Sequence, residues 1–330
     1  MTKRMVLIFG GGGYVGSELV NYLLSAGYKV RVLDTFWYGR DHLDQINNQD
    51  LELTIGDVRD IVKVKSALVN VSDVIHLACI SNDPSFDLNP KLAKSINLTS
   101  FEPVVMAAKE AGVVRFIFAS TSSVYGVKTE TKVTESLSLE PLTDYSIYKA
   151  ECESILLSHA SEKFICTILR PATICGVSTR QRFDLSVNIL TNHAINKNKI
   201  TVFGGSQQRP NLHIKDMCRA YIHILAQPVD KISRKIFNVG AENLSLSEIA
   251  IKVQQITKLL GPIEYQATND LRSYRVDSSL IKTELGFYPE YKIDDAIHDI
   301  MIALKSHRFV NPLDNSFYYN IKKMKELKLG

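Results

Sequence analysis

A hydroxyl, a phenol and an ammonium group occur close together in the sequence, at Thr121, Tyr145 and Lys149. Tyr145 and Lys149 are four residues apart in a predicted helix, so their side chains share one helix face. An ammonium group close to a phenol stabilises the phenolate, which suits proton transfer to or from a substrate hydroxyl. A surface helix carrying the same spacing by chance is the alternative interpretation.

A glycine-rich turn separates the apolar run Met5 to Phe9 from a segment with helical periodicity. The turn, Gly10 to Gly16, fits both G-x-G-x-x-G and G-x-x-G-x-x-G. Glycines there allow the backbone to approach a pyrophosphate, whose charge lies at the helix N-terminus. Asp34 ends the next apolar run, and an acidic residue at that position binds ribose hydroxyls and repels a 2′-phosphate. The sequence therefore predicts a binding site for NAD rather than NADP.

Two further strand ends carry candidate cofactor contacts. Asp57 follows the strand Leu51 to Ile55 and is placed to meet the adenine edge, although capping of a helix over Asp60 to Leu68 explains it equally well. Ala78 and Cys79 follow a strand that ends near Leu77, and their small side chains leave room for a cofactor. His76 lies inside that apolar run, so we interpret it as a core residue.

The composition excludes several classes of protein. The 330 residues are 45% hydrophobic and 22% charged, with a formal net charge of +4. A charge this weak and scattered disfavours nucleic-acid binding. Five cysteines without metal-ligand spacing indicate buried, reduced thiols in a cytoplasmic protein. No segment is long and apolar enough to span a membrane, and no metal site is expected.

Apolar runs alternate with helical segments up to about residue 175, which predicts an α/β fold with a Rossmann-type doubly wound parallel sheet. We expect an NAD-binding domain over residues 1–175, with a later return near 213–240, and a smaller C-terminal substrate-binding domain with an extension over 176–330. Long helices are expected over 89–111 and 144–161. The last twenty-five residues, with their basic run, are expected to be peripheral and solvated.

These motifs together resemble the extended short-chain dehydrogenase/reductase family, in its nucleotide-sugar epimerase/dehydratase branch. The resemblance covers nearly the whole chain and is highly specific in its joint spacing. It rests on the glycine turn, Asp34, residues 56–60, 76–78, 120–126 and 145–149, Arg170-Pro171, residues 209–216 and 238–240, and Leu285-Gly286-Phe287.

The resemblance implies an enzyme with permanently held NAD, a nucleoside-diphosphate sugar as substrate and a homodimer formed through helices near 89–111 and 144–161. It implies that Tyr145 is the catalytic acid or base, that Lys149 binds the nicotinamide ribose, and that Thr121 bridges the sugar hydroxyl. The implied cofactor-binding residues are Gly10, Gly13, Tyr14, Val15, Gly16, Asp34, Asp57, Val58, Leu77, Ala78, Cys79, Ala119, Tyr145, Lys149 and Pro171. The implied substrate-binding residues are Ser81, Thr121, Ser122, Thr173, Asn188, Arg209 and Arg272, with Asn188 and Arg209 at the diphosphate.

Two departures from the family pattern narrow the expected chemistry. Ser122-Ser123 follow Thr121 where the family's 4,6-dehydratases place Asp-Glu, so loss of water is disfavoured. Ala267 to Asp270 replaces a family Arg-Pro-Gly-Asp motif, which leaves Arg272 and Arg275 as alternative phosphate contacts.

The leading hypothesis is an epimerase that works through a 4-keto sugar. A 4-dehydrogenase or ketoreductase would use the same residues, whereas a 4,6-dehydratase and a non-catalytic dinucleotide-sensing protein are weaker alternatives.

Overall fold

The fold is organised around a seven-stranded parallel sheet. The computed structural model describes residues 3–81, 83–268 and 272–329. The strand order is β10-β6-β5-β4-β1-β2-β3, which confirms the predicted doubly wound fold. These strands are β1 (Met5–Phe9), β2 (Lys29–Asp34), β3 (Leu51–Ile55), β4 (Asp73–His76), β5 (Arg115–Ala119), β6 (Ile165–Pro171) and β10 (Lys235–Val239).

Helices cover both faces of this sheet, which explains why its central strands are apolar throughout. All five residues of β1 are buried, and successive side chains point to opposite faces. Leu7 and Phe9 join the core on one face, whereas Val6 and Ile8 join the core on the other. The helices of the chain's first half are α1 (Tyr14–Ser25), α2 (Asp41–Asp44), α3 (Ile61–Ala67), α4 (Asp83–Leu88), α5 (Pro90–Lys94), α6 (Phe101–Glu110) and α7 (Asp144–His159).

The long helical stretch predicted over 89–111 is present, with a change of helix type in its middle. A π-helical turn, Ser95–Thr99, separates α5 from α6. Asn97 lies in this turn, where its side-chain oxygen accepts from Ile80 N at 2.9 Å and its amide nitrogen donates to Ile80 O at 2.9 Å. The wider turn thus lets one side chain hold the segment that follows β4.

Parts of the chain beyond β6 form a second layer beside the carboxyl ends of the large sheet, whereas β10 returns to that sheet. Two smaller sheets have the orders β11-β9-β7 and β12-β8. Their strands are β7 (Thr173–Cys175), β8 (Ile200–Phe203), β9 (Gln208–His213), β11 (Glu242–Ser245) and β12 (Ile263–Gln266). The remaining helices are α8 (Ser186–Lys197), α9 (Ile214–Ala226), α10 (Val229–Ile232), α11 (Leu246–Thr257), α12 (Ser279–Leu285), α13 (Ile293–Lys305) and α14 (Asn320–Glu326). The exact division into two domains stays a prediction.

The prediction that the C-terminal extension is peripheral is wrong, because part of the extension packs into the core. Met324 of α14 is buried in the core cluster that lies on one face of the large sheet. Asn89 Nδ2 donates to Leu329 O at 2.9 Å, which ties the segment to the residue before α5. The basic run is solvated as expected, with Lys322 and Lys325 exposed. None of the helices in the described part of the chain combines the length and apolar character that a membrane span needs.

Candidate active site

A cavity of about 780 Å³ lies where the carboxyl ends of the large sheet meet the second layer. It opens beside β1 and β4, the point at which strand order reverses and where ligands bind in such sheets. With the exception of Asn188, every site residue predicted from the sequence lines this cavity. The fold thus brings together residues that are up to 262 positions apart in the chain, between Gly10 and Arg272, while their individual roles stay predictions.

The glycine turn between β1 and α1 has the close packing that a dinucleotide cradle needs. Gly10 adopts φ +84°, and a Cβ there would lie 2.6 Å from Ala78 N. A Cβ on Gly16 would lie 2.6 Å from Gly10 O, so only glycine lets α1 approach the turn this closely. Because α1 begins at Tyr14 with no side-chain cap, its first amide groups are available to a pyrophosphate. The turn therefore fits the pyrophosphate of NAD.

Asp34 at the end of β2 is bonded to the turn itself. Its Oδ2 accepts from Gly12 N at 2.9 Å, and its Oδ1 accepts from Phe36 N at 2.7 Å. Burial raises the pKa of Asp34, and the two backbone hydrogen bonds oppose that rise. Each carboxylate oxygen keeps a second acceptor site for a ribose hydroxyl.

Asp57 faces the cavity, and the helix-cap explanation for it is wrong. The N-cap of α3 is Asp60, whose side chain accepts from Val62 N and Lys63 N. Asp57 instead accepts from the backbone and side chain of Arg59, at 2.8 Å from Arg59 N. It lines the same cavity as the glycine turn, as a contact to adenine requires.

Tyr145 and Lys149 project into the cavity from the first two turns of α7. Thr143 and Ser146 form a capping box that fixes the start of this helix. The Lys149 ammonium is buried and donates to Ala119 O, at the end of β5, at 2.6 Å. Within the described residues it has no carboxylate partner, so its positive field is not neutralised by an ion pair. Such a field favours the phenolate form of the neighbouring tyrosine.

Thr121 begins the short 3₁₀ helix Ser122–Tyr125 beyond β5 and caps it. Its Oγ1 accepts from Ser123 N at 3.2 Å and lies 3.0 Å from Ser123 Oγ. Ser122 is buried, and its hydroxyl lies 3.4 Å from the Tyr274 hydroxyl. All four hydroxyl residues that follow β5, from Ser120 to Ser123, line the cavity, and they supply hydrogen-bonding groups without a carboxylate.

Arginines line the part of the cavity formed by the second layer. Arg209 on β9 donates to Arg272 O, which brings the two residues together, and both line the cavity. Arg275 is exposed and does not line it. Of the two alternatives for a phosphate contact, the structure therefore places Arg272 at the cavity. Asn269 and Asp270, where the family motif is replaced, lie outside the described residues.

Asn188 is the one predicted site residue that the structure does not place at the cavity, and its contact with the diphosphate stays a prediction. Its side chain is fully buried and lies outside the cavity lining. Its Oδ1 accepts from Gly176 N at 3.0 Å, and its Nδ2 donates to Arg182 O at 2.8 Å and to the Tyr14 hydroxyl at 3.1 Å. The amide is thus used to hold the 176–182 loop against α1.

Several cavity residues were not predicted from the sequence, because they belong to no local motif. They include two buried arginines on one loop, an aromatic residue after β2, and an asparagine from the C-terminal segment. They also include a histidine on α8 whose pKa burial lowers to about 4. These residues are Arg180, Arg182, Tyr38, Asn320 and His193. The only available signal was the pair of arginines spaced by one residue in Arg180-Gln181-Arg182.

His76 and four of the cysteines are buried, as expected, whereas Cys79 lines the cavity. The His76 ring is buried among Phe9, Phe101, Phe116 and Phe118. Burial, helped by the charge of Lys149, lowers its pKa to about 3. All five cysteines are free, and four of them are buried. In the described ranges, no group of three His, Cys, Asp or Glu side chains is arranged to hold a metal ion.

Comparison with known proteins places the chain among proteins with related chemistry. Residues 6–240 match the sequence model of the NAD dependent epimerase/dehydratase family. The UDP-glucose 4-epimerase of Lactobacillus helveticus is 28% identical over 327 residues, covering 92% of this chain and 97% of that protein. UDP-glucuronic acid decarboxylase 1 of Arabidopsis thaliana is 26% identical over 308 residues, covering 89% of this chain and 68% of that protein.

A solved structure shows the same architecture. MoeE5 in complex with UDP-glucuronic acid and NAD superposes with a TM-score of 0.79 at 25% sequence identity. The match covers 91% of this chain and 99% of that one. The similarity therefore extends through both layers of the fold.

Proposed function

Because this chain belongs to the NAD dependent epimerase/dehydratase family, we propose that it is a nucleotide-sugar 4-epimerase. Curated relatives such as the Lactobacillus helveticus protein are UDP-glucose 4-epimerases. UDP-hexoses are thus the first substrates to test. The observation that carries the proposal is that Thr121, Tyr145 and Lys149 line the same cavity as the glycine turn and Asp34.

Tyr145 is the proposed group that moves the proton. Its phenolate takes the proton of the sugar C4 hydroxyl, and Thr121 hydrogen-bonds that hydroxyl and orients it. Lys149, held by Ala119 O, supplies a positive charge that favours the phenolate form. Bound NAD would supply the acceptor and donor for the C4 hydride. Tyr145 then gives the proton back, so a hydride returned to the other face of C4 inverts that carbon without net oxidation.

The carboxylates of the cavity argue against dehydration. Among the described lining residues they are Asp34, Asp57 and Asp184. Each is already engaged: Asp34 by backbone amides, and the other two by Arg59 and Arg182 respectively. Thr121 is followed by serines, so elimination of water lacks an acid and a base beside the sugar.

Residues of the second layer form the proposed binding site for the nucleotide sugar. Arg209 and Arg272 line the cavity and carry the planar donors that suit a diphosphate. Thr173 on β7 lies on the same wall and offers a hydroxyl. A nucleoside-diphosphate sugar would thus be held by the second layer with its sugar directed to Tyr145.

The decisive experiment incubates the purified protein with UDP-, GDP- and dTDP-hexoses and identifies the sugar products by NMR. We expect the C4 epimer of one sugar nucleotide, with no net change in cofactor absorbance. Tyr145→Phe should lower kcat about 10²- to 10⁴-fold, because the proton acceptor is lost. Tyr148→Phe is the matched control: Tyr148 lies on the same helix and packs against Phe86 outside the cavity lining, so kcat should stay within about twofold of wild type.

Other product patterns would contradict the proposal. A stoichiometric keto sugar with reduced cofactor would indicate a 4-dehydrogenase or ketoreductase, and a 6-deoxy-4-keto product would indicate a dehydratase. Turnover that survives Tyr145→Phe would remove Tyr145 from the mechanism. The homodimer and the cytoplasmic location stay predictions.

A further inference from the structure

Two buried arginines in the cavity have no role in the proposed reaction. Arg180 and Arg182 lie on the loop between β7 and α8, and they are 1% and 7% exposed. Both line the cavity. Each keeps a donor without a hydrogen-bond partner, Nε of Arg180 and Nη2 of Arg182. Buried donors of a charged group are costly to leave unpaired, so this pair is built for an anion.

The loop that carries these arginines is fastened to the first turns of α1. Ser178 Oγ donates to Tyr14 O at 2.8 Å, and Thr179 N donates to Glu18 Oε1 at 2.7 Å. The Tyr14 hydroxyl in turn donates to Gly176 O at 2.7 Å. The loop that carries the arginines is therefore held against the helix N-terminus that follows the glycine turn.

Two carboxylates lie beside the pair, Asp34 and Asp184, yet one donor of each guanidinium group keeps no hydrogen-bond partner. The Arg180 guanidinium stacks 3.8 Å from the centre of the Tyr38 ring, next to Asp34 on β2. Burial, followed by the charge of Arg182, lowers the pKa of Arg180 to about 10. Arg182 is paired with Asp184, Nε to Oδ1 at 2.8 Å. A bound anion would relieve the repulsion between the two guanidinium groups.

We propose that Arg180 and Arg182 are the side-chain half of the pyrophosphate site for the dinucleotide, complementing the backbone amides of the glycine turn. Asn320 positions Arg180, because its Oδ1 accepts from Arg180 Nη2 at 2.7 Å. The diphosphate of a nucleotide sugar offers the same chemistry. The attachment of the loop to α1 favours the dinucleotide, and Arg209 and Arg272 are left for the sugar nucleotide.

The test follows the release of bound dinucleotide from the purified holoprotein. Arg180→Gln, Arg182→Gln and the double variant are mixed with isotopically labelled NAD, and the exchange rate is measured by mass spectrometry. We expect exchange about tenfold faster in each single variant and about a hundredfold faster in the double variant, as lost charge-assisted contacts predict. Arg308→Gln is the control, since Arg308 is exposed and its ring contact is with Phe309; its exchange rate should stay within twofold of wild type.

A second arm separates the two possible anions. The Kd of UDP for the NAD-loaded protein should change less than threefold in the arginine variants. Unchanged NAD exchange in the double variant overturns the proposal. If the Kd of UDP rises tenfold at the same time, the arginines bind the sugar nucleotide instead. Neither measurement depends on turnover. The proposal for the two arginines can therefore fail while the epimerase proposal stands, and the epimerase proposal can fail while the proposal for the arginines stands.

Lysine substitutions distinguish loss of the guanidinium contacts from loss of folding. Arg180→Lys and Arg182→Lys keep the charge and nearly the length of the side chain but lose the planar fork. They should fold with wild-type circular dichroism and exchange NAD at least threefold faster. Exchange at the wild-type rate in both folded lysine variants overturns the role of the guanidinium groups.

Discussion

The Asp34 carboxylate belongs both to the glycine turn and to the predicted ribose site. The Gly12 amide bonds its Oδ2, so the carboxylate that is predicted to meet the ribose also shapes the glycine turn. Its surroundings raise its pKa through burial. The raised pKa means that this carboxylate takes up a proton at a higher pH than an exposed aspartate does.

Acidification should therefore release NAD. Ribose hydroxyls are accepted best by the ionised carboxylate, so below the pKa of Asp34 the Kd of NAD should rise by up to about tenfold per pH unit. Isothermal titration of NAD between pH 7.5 and pH 4.5 checks this expectation. In Asp34→Asn, binding should be weaker at pH 7.5 and lose most of its pH dependence. A wild-type Kd that is flat over the whole range would contradict it.

The place of a residue at the cavity was predictable where the motif is contiguous in sequence. The glycine turn, the end of β2 and the Tyr145–Lys149 spacing are local patterns, and each faces the cavity. Asn188 does not face the cavity, which its spacing in the sequence could not indicate, because its burial follows from the bonds of its amide to Gly176 and Arg182. Arg180 was missed for the same reason, since its partner Asn320 is 140 positions away.

At the scale of elements, a buried polar network joins α7 to the end of β6. Glu153 and Arg170 are each 3% exposed and form a charge pair with an Nη2 to Oε2 distance of 2.6 Å. Arg170 Nη1 also donates to the Tyr125 hydroxyl at 2.9 Å, which donates to Asn238 Oδ1 at 2.8 Å. The network thus fixes the helix that carries Tyr145 against β6, β10 and the 3₁₀ turn after Thr121.

Breaking this pair should destabilise the whole domain. Glu153→Gln leaves the Arg170 charge buried without a counter-charge, so the free energy of unfolding should fall by about 3–5 kcal/mol. Urea unfolding followed by circular dichroism measures it. Glu110→Gln is the matched control, because its pair with Lys65 is 60% and 59% exposed, and it should change stability by less than about 0.5 kcal/mol. Equal effects in the two variants would mean that the buried network contributes no more than a surface pair.

Strands were easier to predict than the helices between them. A parallel strand buried on both faces is a short continuous apolar run, as in β1 and β5, and such runs are visible in sequence. The interruption at Ser95–Thr99 was not visible, because it follows from the bonds of Asn97 to Ile80, a contact made across the fold.

For the whole molecule, the C-terminal segment acts as part of the cavity wall. Asn320 lines the cavity and is 3% exposed. Its Nδ2 donates to Ser81 Oγ at 3.1 Å, and its backbone N–H donates to Asp184 Oδ2 at 3.0 Å. One residue thereby connects the segment after β4 with the arginine-bearing loop.

Asn320→Ala should loosen the bound dinucleotide without removing a charge. The side-chain bonds to Arg180 and Ser81 are lost, so NAD exchange should become about threefold to tenfold faster, and the free energy of unfolding should fall by about 1–3 kcal/mol. Labelled-NAD exchange and urea unfolding measure the two effects. Lys325→Ala on the exposed side of α14 is the control and should match wild type in both. If Asn320→Ala also matches wild type in both, the C-terminal segment does not contribute to the cavity.

The position of α14 in the chain has a consequence for the order of events during synthesis. Translation delivers β1 to β10 and both arginines before Asn320 leaves the ribosome, because all of them precede it in sequence. The large sheet can thus assemble around a chamber whose last wall is still missing. Until the final helix docks, Arg180 and Ser81 lack their bonds to Asn320, so the cavity gains this part of its wall only after the C-terminal segment has been synthesised.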